Sequence, residues 1–243
     1  MTQPQPASQP AAAKRKGGPR RDLMERELLD CAAELFAEKG FSGTSLQDIA
    51  NAAGVGRTTL YHYFKSKDDF LSALVEDVTV AASTELRQLA QVAALSHRAQ
   101  LFAVAEMLVR RQLARAVRFK VLDREENHLP PGLFERHQAG KREVLARVSE
   151  IVRSGIAAGE FRPVDANVAA LSLIGMCQWT AWWFKPNANK SAAEVAQIVA
   201  EMGVESLLTG HGGANGRAPH EIILGIRHEL DRLEALLKAA RPK

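Results

Sequence analysis

No stretch of this chain alternates apolar and polar residues for long enough to lay down a strand, whereas apolar positions three and four residues apart recur throughout. That single period confines the chain to an all-α fold without internal repeats. Leu28, Ala32, Leu35 and Phe36 form one stripe, closed by Gly40, where a left-handed helix stop suits glycine. Leu46, Ile49, Ala50 and Ala53 form a second, very short helix, for which Thr44 is the expected N-cap and Gln47 its capping-box partner. Leu60 and Phe64 belong to a third. Ser66, with Asp69 in the matching box position, opens a fourth whose stripe runs through Phe70, Leu71, Leu74, Val75, Val78, Ala82, Leu86 and Leu89.

Further helices are expected over residues 97–112 and 114–126, before a break at "NHLPPG". A long helix over 132–158 turns Val144, Leu145, Val148, Ile151, Val152 and Ile156 inward and stops at Gly159 and "FRP". Asp165 caps a helix running to Phe184, and Ser191 with Glu194 opens another to about residue 209. Residues 210–218, "GHGGANGRA" in outline, read as a linker, and 219–240 as a last helix within a C-terminal segment 219–243. Its Ile223, Ile226, Leu230, Leu233 and Leu237 make a coiled-coil seam of about two heptads. That seam either folds back on its own subunit or pairs across a dimer.

A chain of 243 residues, 46% apolar and 25% charged, can build one or two domains with a real core. Cys31 and Cys177 are the only cysteines, which excludes a disulfide framework and a four-cysteine zinc site and suits the reducing cytoplasm. There is no apolar leader, and no apolar run is long enough for a bilayer, so no membrane partner is expected. The charge is uneven: residues 14–26 carry six basic side chains against two acidic ones, while 27–243 sum to zero. Residues 1–20 therefore read as a disordered basic arm, suited to a polyanion such as DNA or serving as a solubilising tail.

Three helices within residues 21–67, the second and third very short and joined by "AAGVG", have the spacing of a helix-turn-helix. Gly54 suits the turn, and Val55 pins it to Ala50 and Leu60. The third helix keeps Leu60 and Phe64 inward and presents Arg57, Thr58, Tyr61 and His62 outward. Arginine can read guanine, Thr58 and Thr59 can meet a base edge or a thymine methyl, and tyrosine hydroxyls can hold phosphates. Lys65 and Lys67 add phosphate charge, and the N–H groups at Ser66 offer a helix-start phosphate seat.

The segments "LFAEKGF", "TSLQDIANAAGV", "TLYHYF" and "SKDDF" fall in the order and spacing of the tetracycline-repressor (TetR) family, which residues 24–70 resemble almost position for position. The resemblance implies a homodimer that places each third helix in the major groove of double-stranded DNA at a pseudo-palindromic operator. It implies DNA contacts from Thr44, Ser45, Gln47, Arg57, Thr58, Thr59, Tyr61, His62, Tyr63, Lys65 and Lys67. Arg20 and Arg21, in an arm that family members often lack, can reach the adjacent minor groove. Residues 68–209 then form the ligand-binding and dimerisation domain. "GEFRP" and the aromatic helix ending in "WWFKP" resemble a branch responsive to acyl-coenzyme A thioesters.

Arg111, Arg115 and Arg118 follow at i, i+4 and i+7, either as a solvated face or as a seat for coenzyme A phosphates. Trp179, Trp182 and Trp183 share a helix face that packs in a core or dimer, or walls an effector pocket together with Phe134. Catalysis finds no support: "HEIIL" carries Leu224 where a zinc protease motif needs histidine, and no nucleophile stands at readable spacing from a base. No cofactor is implied. The expected protein is a ligand-responsive repressor. A sensor of uncharged or weakly acidic molecules and a purely architectural DNA binder are the alternatives.

Overall fold

The structure, a computed structural model, describes residues 18–89, 95–186 and 189–209. The arm up to residue 17, the 210–218 linker and the C-terminal helix with its seam lie outside the described residues. The elements are α1 (Pro19–Lys39), α2 (Leu46–Ala52), α3 (Arg57–Tyr63), α4 (Lys67–Val75), a π-helical turn (Glu76–Val80) and α5 (Ala81–Leu89). They continue with α6 (His97–Ala114), α7 (Ala116–Glu125), a 3-10 turn (Glu126–His128), α8 (Pro131–Ala157), α9 (Ala166–Trp183) and α10 (Ala192–Glu205). Among the described residues the β-type pairing is a single isolated bridge, Phe161 to Leu208. The fold is all-α.

Several local expectations need correction. Arg20 and Arg21 are not in a loose arm: α1 begins at Pro19, whose ring presets the helical φ at the first turn. The cap of α2 is Ser45, not Thr44, and its box partner is Asp48, not Gln47. Thr44 is buried instead, and its hydroxyl donates to the Gly40 carbonyl at 2.9 Å, tying the loop to the end of α1. The fourth helix runs on to Leu89 as expected, but through a π-helical turn at Glu76–Val80 that directs Asp77 to Arg115 and Arg118 and the buried Thr79 to His137 Nδ1 at 2.7 Å. Helix α10 ends at Glu205 rather than near 209, because Arg162 takes the next carbonyls: its N–H donates to Leu207 O at 2.8 Å and its Nε to Ser206 O at 2.8 Å.

The chain forms two compact units. Among the described residues, one comprises 18–81 with Arg115–Gln138, and the other those of Ala82–Ala114 and 139–209. The first unit thus holds α4 and α7 as well as the three N-terminal helices, and the expected division at residue 68 falls inside it. Its core joins Leu28, Phe36, Ile49, Leu60, Phe70 and Leu74, with Val121 and Leu122 from α7. The Phe64 and Phe70 rings stack at 3.8 Å. Arg124 donates to the Phe36 and Ala37 carbonyls and so closes the C-terminal end of α1 from α7.

The second unit packs Leu101, Val104, Ala105 and Val109 of α6 with Val148 and Val152 of α8, Phe161, and Ala196 and Ala200 of α10. Glu160 caps α6 by accepting from Arg98 N–H at 3.0 Å and His97 N–H at 3.3 Å, with the His97 ring 2.7 Å away. The Arg98 N–H first, then the His97 ring, hold the Glu160 carboxyl below its ordinary value. Burial pushes the Cys177 thiol up to about 12, so it is a packing group rather than a nucleophile.

Gly155 is held by sterics: a Cβ there would stand 2.2 Å from Phe161 Cδ2 and 3.1 Å from His97 Cβ. Because Phe161 is 1% exposed, its ring has nowhere to go. Gly155→Ala is therefore expected to destabilise the protein by about 1–3 kcal/mol, the usual range for overpacking. A urea titration showing no loss would mean that the α8–Phe161 junction is softer than its geometry.

Candidate DNA-reading face and effector unit

The turn between α2 and α3 is built by Gly54, at φ 65°, and by the Val55 N–H donating to Ala50 O at 3.0 Å. That φ lies in the left-handed region, which costs a side chain energy and glycine little. Leu60 and Phe64 hold α3 to the core beneath it. The opposite face is left to solvent: Arg57, Thr58, Thr59, Tyr61 and His62 are all exposed, as is Lys65 just beyond. The Arg57 guanidinium lies 5.4 Å from the Tyr61 ring centre and donates to its hydroxyl at 3.2 Å. Arg21 of α1 stands 5.8 Å over the ring of Tyr63, whose edge meets His62. Arg20 is exposed beside it on the first turn of α1.

Ser45 and Gln47 open α2 on the solvent side, and Gln47 donates to Asn51 at 2.8 Å. Asn51 is an exposed amide at the end of α2 that no motif in the sequence marks. Two expected contacts are turned inward. Thr44 is 2% exposed with its hydroxyl engaged. Lys67 donates to Phe41 O at 2.7 Å and sits 4.6 Å over the Phe41 ring. The phosphate seat expected at Ser66 is also occupied from within, since Asp69 accepts from Lys65 N–H at 2.7 Å and from Ser66 N–H at 3.2 Å. Lys65 is left as the exposed cation at this end.

The basic face expected from Arg111, Arg115 and Arg118 does not form. The helix breaks at Arg115, between α6 and α7, and each guanidinium meets a carboxylate. Arg111 pairs with Glu85 at 2.7 Å. Arg115 Nε lies 3.0 Å from both Asp77 oxygens. Arg118, buried, donates to Asp77 at 2.6 Å, to Asp30 at 2.8 Å and to Arg26 O at 3.3 Å. Phe134 belongs to the first unit, and Trp179 and Trp182 to the second.

The tryptophans lie on an open face. Trp179 is 64% exposed, and Val168, Leu171, Met176, Trp182 and Trp183 on α9 are exposed with it, as are Ile198 and Met202 on α10. Helix α9 carries no charged side chain at all. A surface cleft of about 350 Å³ runs along it, lined by Val164, Val168, Ser172, Met176, Gly203 and Leu207 among others. Among the described residues no helix is long and apolar enough to cross a membrane, and no group of His, Cys, Asp or Glu is placed to hold a metal ion.

A short helix, a glycine turn and a second short helix with an exposed polar face, carried on a three-helix core, define a helix-turn-helix DNA-binding unit. The family model of bacterial regulatory proteins of the tetR family matches residues 28–74, and that of the tetracyclin repressor-like C-terminal domain matches residues 94–207. The chain belongs to the TetR family of transcriptional regulators. It is 28% identical to the HTH-type transcriptional repressor KstR2 of Mycolicibacterium smegmatis, over 80% of this chain and 90% of that one. Among solved structures it is similar to AibR in complex with isovaleryl coenzyme A and operator DNA. The TM-score is 0.61 at 25% identity, covering 74% of this chain and 97% of that one. PfmR of Thermus thermophilus gives a TM-score of 0.65 at 28% identity, over 73% and 97% of the respective chains.

Proposed function

We propose that this protein is a homodimeric, effector-responsive repressor of the cytoplasm that acts by binding rather than by catalysis. The observation that carries the reading is the α3 face, where every outward side chain is polar, exposed and suited to a base edge or a phosphate. Arg57, Thr58, Thr59 and His62 read bases. Tyr61, Tyr63, Lys65, Ser45 and Gln47 hold the backbone, and Arg20 and Arg21 reach the neighbouring groove from α1. Thr44 and Lys67 shape this surface from beneath. Residues 18–81 present the reading head, and the second unit takes the effector and the partner subunit. The uncharged, exposed α9 face, with Ile198 and Met202 of α10, supports pairing with a second copy.

The effector is a small organic acid, met in the first instance as its coenzyme A thioester. The likeness to AibR supports that class. Binding that favours a dimer with the wrong recognition-helix spacing releases the operator, and about 2.7 kcal/mol of coupling weakens binding ~100-fold. A gel-shift assay with acyl-coenzyme A esters beside their free acids tests this reading. Release only by uncharged compounds would favour a different sensor, and indifference to every effector an architectural DNA binder.

Arg57→Ala is expected to cost about 1–3 kcal/mol of operator affinity and to relax preference at one base pair. Lys65→Ala should weaken all sequences alike and flatten the dependence of affinity on salt. Footprinting at two salt concentrations separates the two patterns. Equal affinities for both variants and the wild type would remove α3 from the interface.

A further inference from the structure

The cleft of about 350 Å³ in the second unit lies where the first turns of α9, and the residues just before them, meet the end of α10. Val164, Val168, Leu173, Met176 and Leu207 give it an apolar lining. Two polar side chains of the lining are engaged within the subunit: Arg162 Nε donates to Ser206 O at 2.8 Å, and Asp165 accepts from the Val168 N–H at 2.8 Å. Leu171 and Met202 are exposed on the same two helices. An apolar surface of this kind calls for an apolar cover.

The chain leaves the described structure from the wall of this cleft. Ser206 and Leu207 line it, and the exit is fixed by the bridge from Leu208 to Phe161 and by the Arg162 N–H donating to Leu207 O at 2.8 Å. Thr209 is the last described residue, and residues 210–218 separate it from the Ile223–Leu237 seam. A Gly-rich segment of that length spans roughly 15–18 Å on average, which holds the seam near the cleft at an effective concentration of about millimolar order. The seam itself needs a surface, since two heptads are short for a free-standing coiled coil. Its five residues are all isoleucine or leucine, which suits a lining of aliphatic and thioether groups. Charge favours the same match. Helix α9 has no charged side chain, and α10 exposes Glu194, Glu201 and Glu205 and carries no basic residue. Residues 210–243 carry six basic side chains against four acidic ones.

We propose that residues 219–240 dock as a helix on the cleft of their own subunit, with the Ile223–Leu237 seam covering Val168 and Met176. The cleft takes the side chains of the seam, and the helix backbone lies over the surrounding surface of α9 and α10. The tether begins on the wall of the cleft, which selects the segment of the same subunit. The Trp179–Trp183 end of α9 is left to the proposed pairing of two copies.

The test is a photo-crosslink in the full chain. Asn167 is exposed beside Val168 and does not line the cleft, so Asn167→Cys takes a benzophenone maleimide without blocking it. Cys31→Ser removes the half-buried thiol. Cys177 is 1% exposed and its thiol is pushed up to about 12, so it stays unlabelled. Illumination should join position 167 to a peptide from 219–240 within one chain of 26.5 kDa. Leu230→Gln with Leu233→Gln should lower that yield and raise tryptic cleavage after Arg227, each by about 10-fold or more, because the segment then stands open. The same double variant should leave the dissociation constant of the dimer unchanged. A crosslink that joins two chains, at twice the mass, would overturn the proposal by placing the contact between subunits. A yield indifferent to the two glutamines would reduce it to the nearness of the tether and overturn it as well. So would dissociation of the dimer in the glutamine variant, or no crosslink to 219–240 at all.

Discussion

Trp179→Arg is expected to leave a folded monomer that no longer holds operator DNA. The indole is 64% exposed in the single chain, so the substitution removes little packing and the subunit's helix content should not change. In the proposed dimer through α9 the same position would be buried. Two arginines would then face each other on an interface that has no acidic residue on α9 to receive them. A charge buried without a partner is costly, and an isologous interface incurs that cost twice. An operator of two half-sites is gripped by two heads held at one spacing, so losing the dimer loses the second contact as an intramolecular event. Operator affinity should fall about 10²–10⁴-fold. Sedimentation equilibrium should report the 26.5 kDa of one chain where the wild type reports twice that. A dimer that survives the substitution would take α9 out of the interface and leave its uncharged face unexplained.

The second large effect is expected at Arg118. Its guanidinium joins three parts of the first unit: Asp77 in the π-helical turn, Asp30 in α1 and the Arg26 carbonyl. Its side chain is 9% exposed, and the Asp77 side chain 22%. Removing one member of a buried pair typically costs about 3–5 kcal/mol, because the survivor is left charged and unmatched. Here Asp77 keeps Arg115, and Asp30 is largely in water, so Arg118→Ala should lie near the lower end of that range. Asp77→Asn should cost as much or more, since it removes a charge shared by two arginines and leaves Arg118 only Asp30. The two losses should fall short of additive in the double variant because they share one contact. Denaturant unfolding of the three proteins measures this. A loss below about 1 kcal/mol for Arg118→Ala would reduce the network to surface pairs.

The reading head was legible in the chain because its signals are local. The polar outer face of α3 and the turn at Gly54 and Val55 are set by neighbours a few residues away, as is the box at Ser66 and Asp69. Thr44 and Ser45 mark where such reading fails. Both carry a hydroxyl at a helix start, and what separates them is the Leu35 and Gly40 carbonyls waiting beneath Thr44. Lys67 fails in the same way: its charge suits a phosphate, yet the Phe41 carbonyl and ring lie closer.

Helical period determined the all-α class and the inner faces of α1 to α4 and α8, and caps and glycines marked most helix ends among the described residues. Apolar spacing records which side must leave water, and that is a property of one segment at a time. Only the tertiary structure decided the fate of the charges. Arg115 and Arg118 find Asp77 at 38 and 41 residues' separation, and Arg118 finds Asp30 at 88. Arg147 has Glu143 and Glu150 at helical spacing in sequence, yet those two pair with Arg87 and Arg153 instead. A charge is neutralised by whatever lies within a few ångströms, and the packing of distant helices sets that distance. The apolar face of α9 follows the same logic: its pattern calls for a cover, and the described residues of its own subunit leave Trp179 64% exposed.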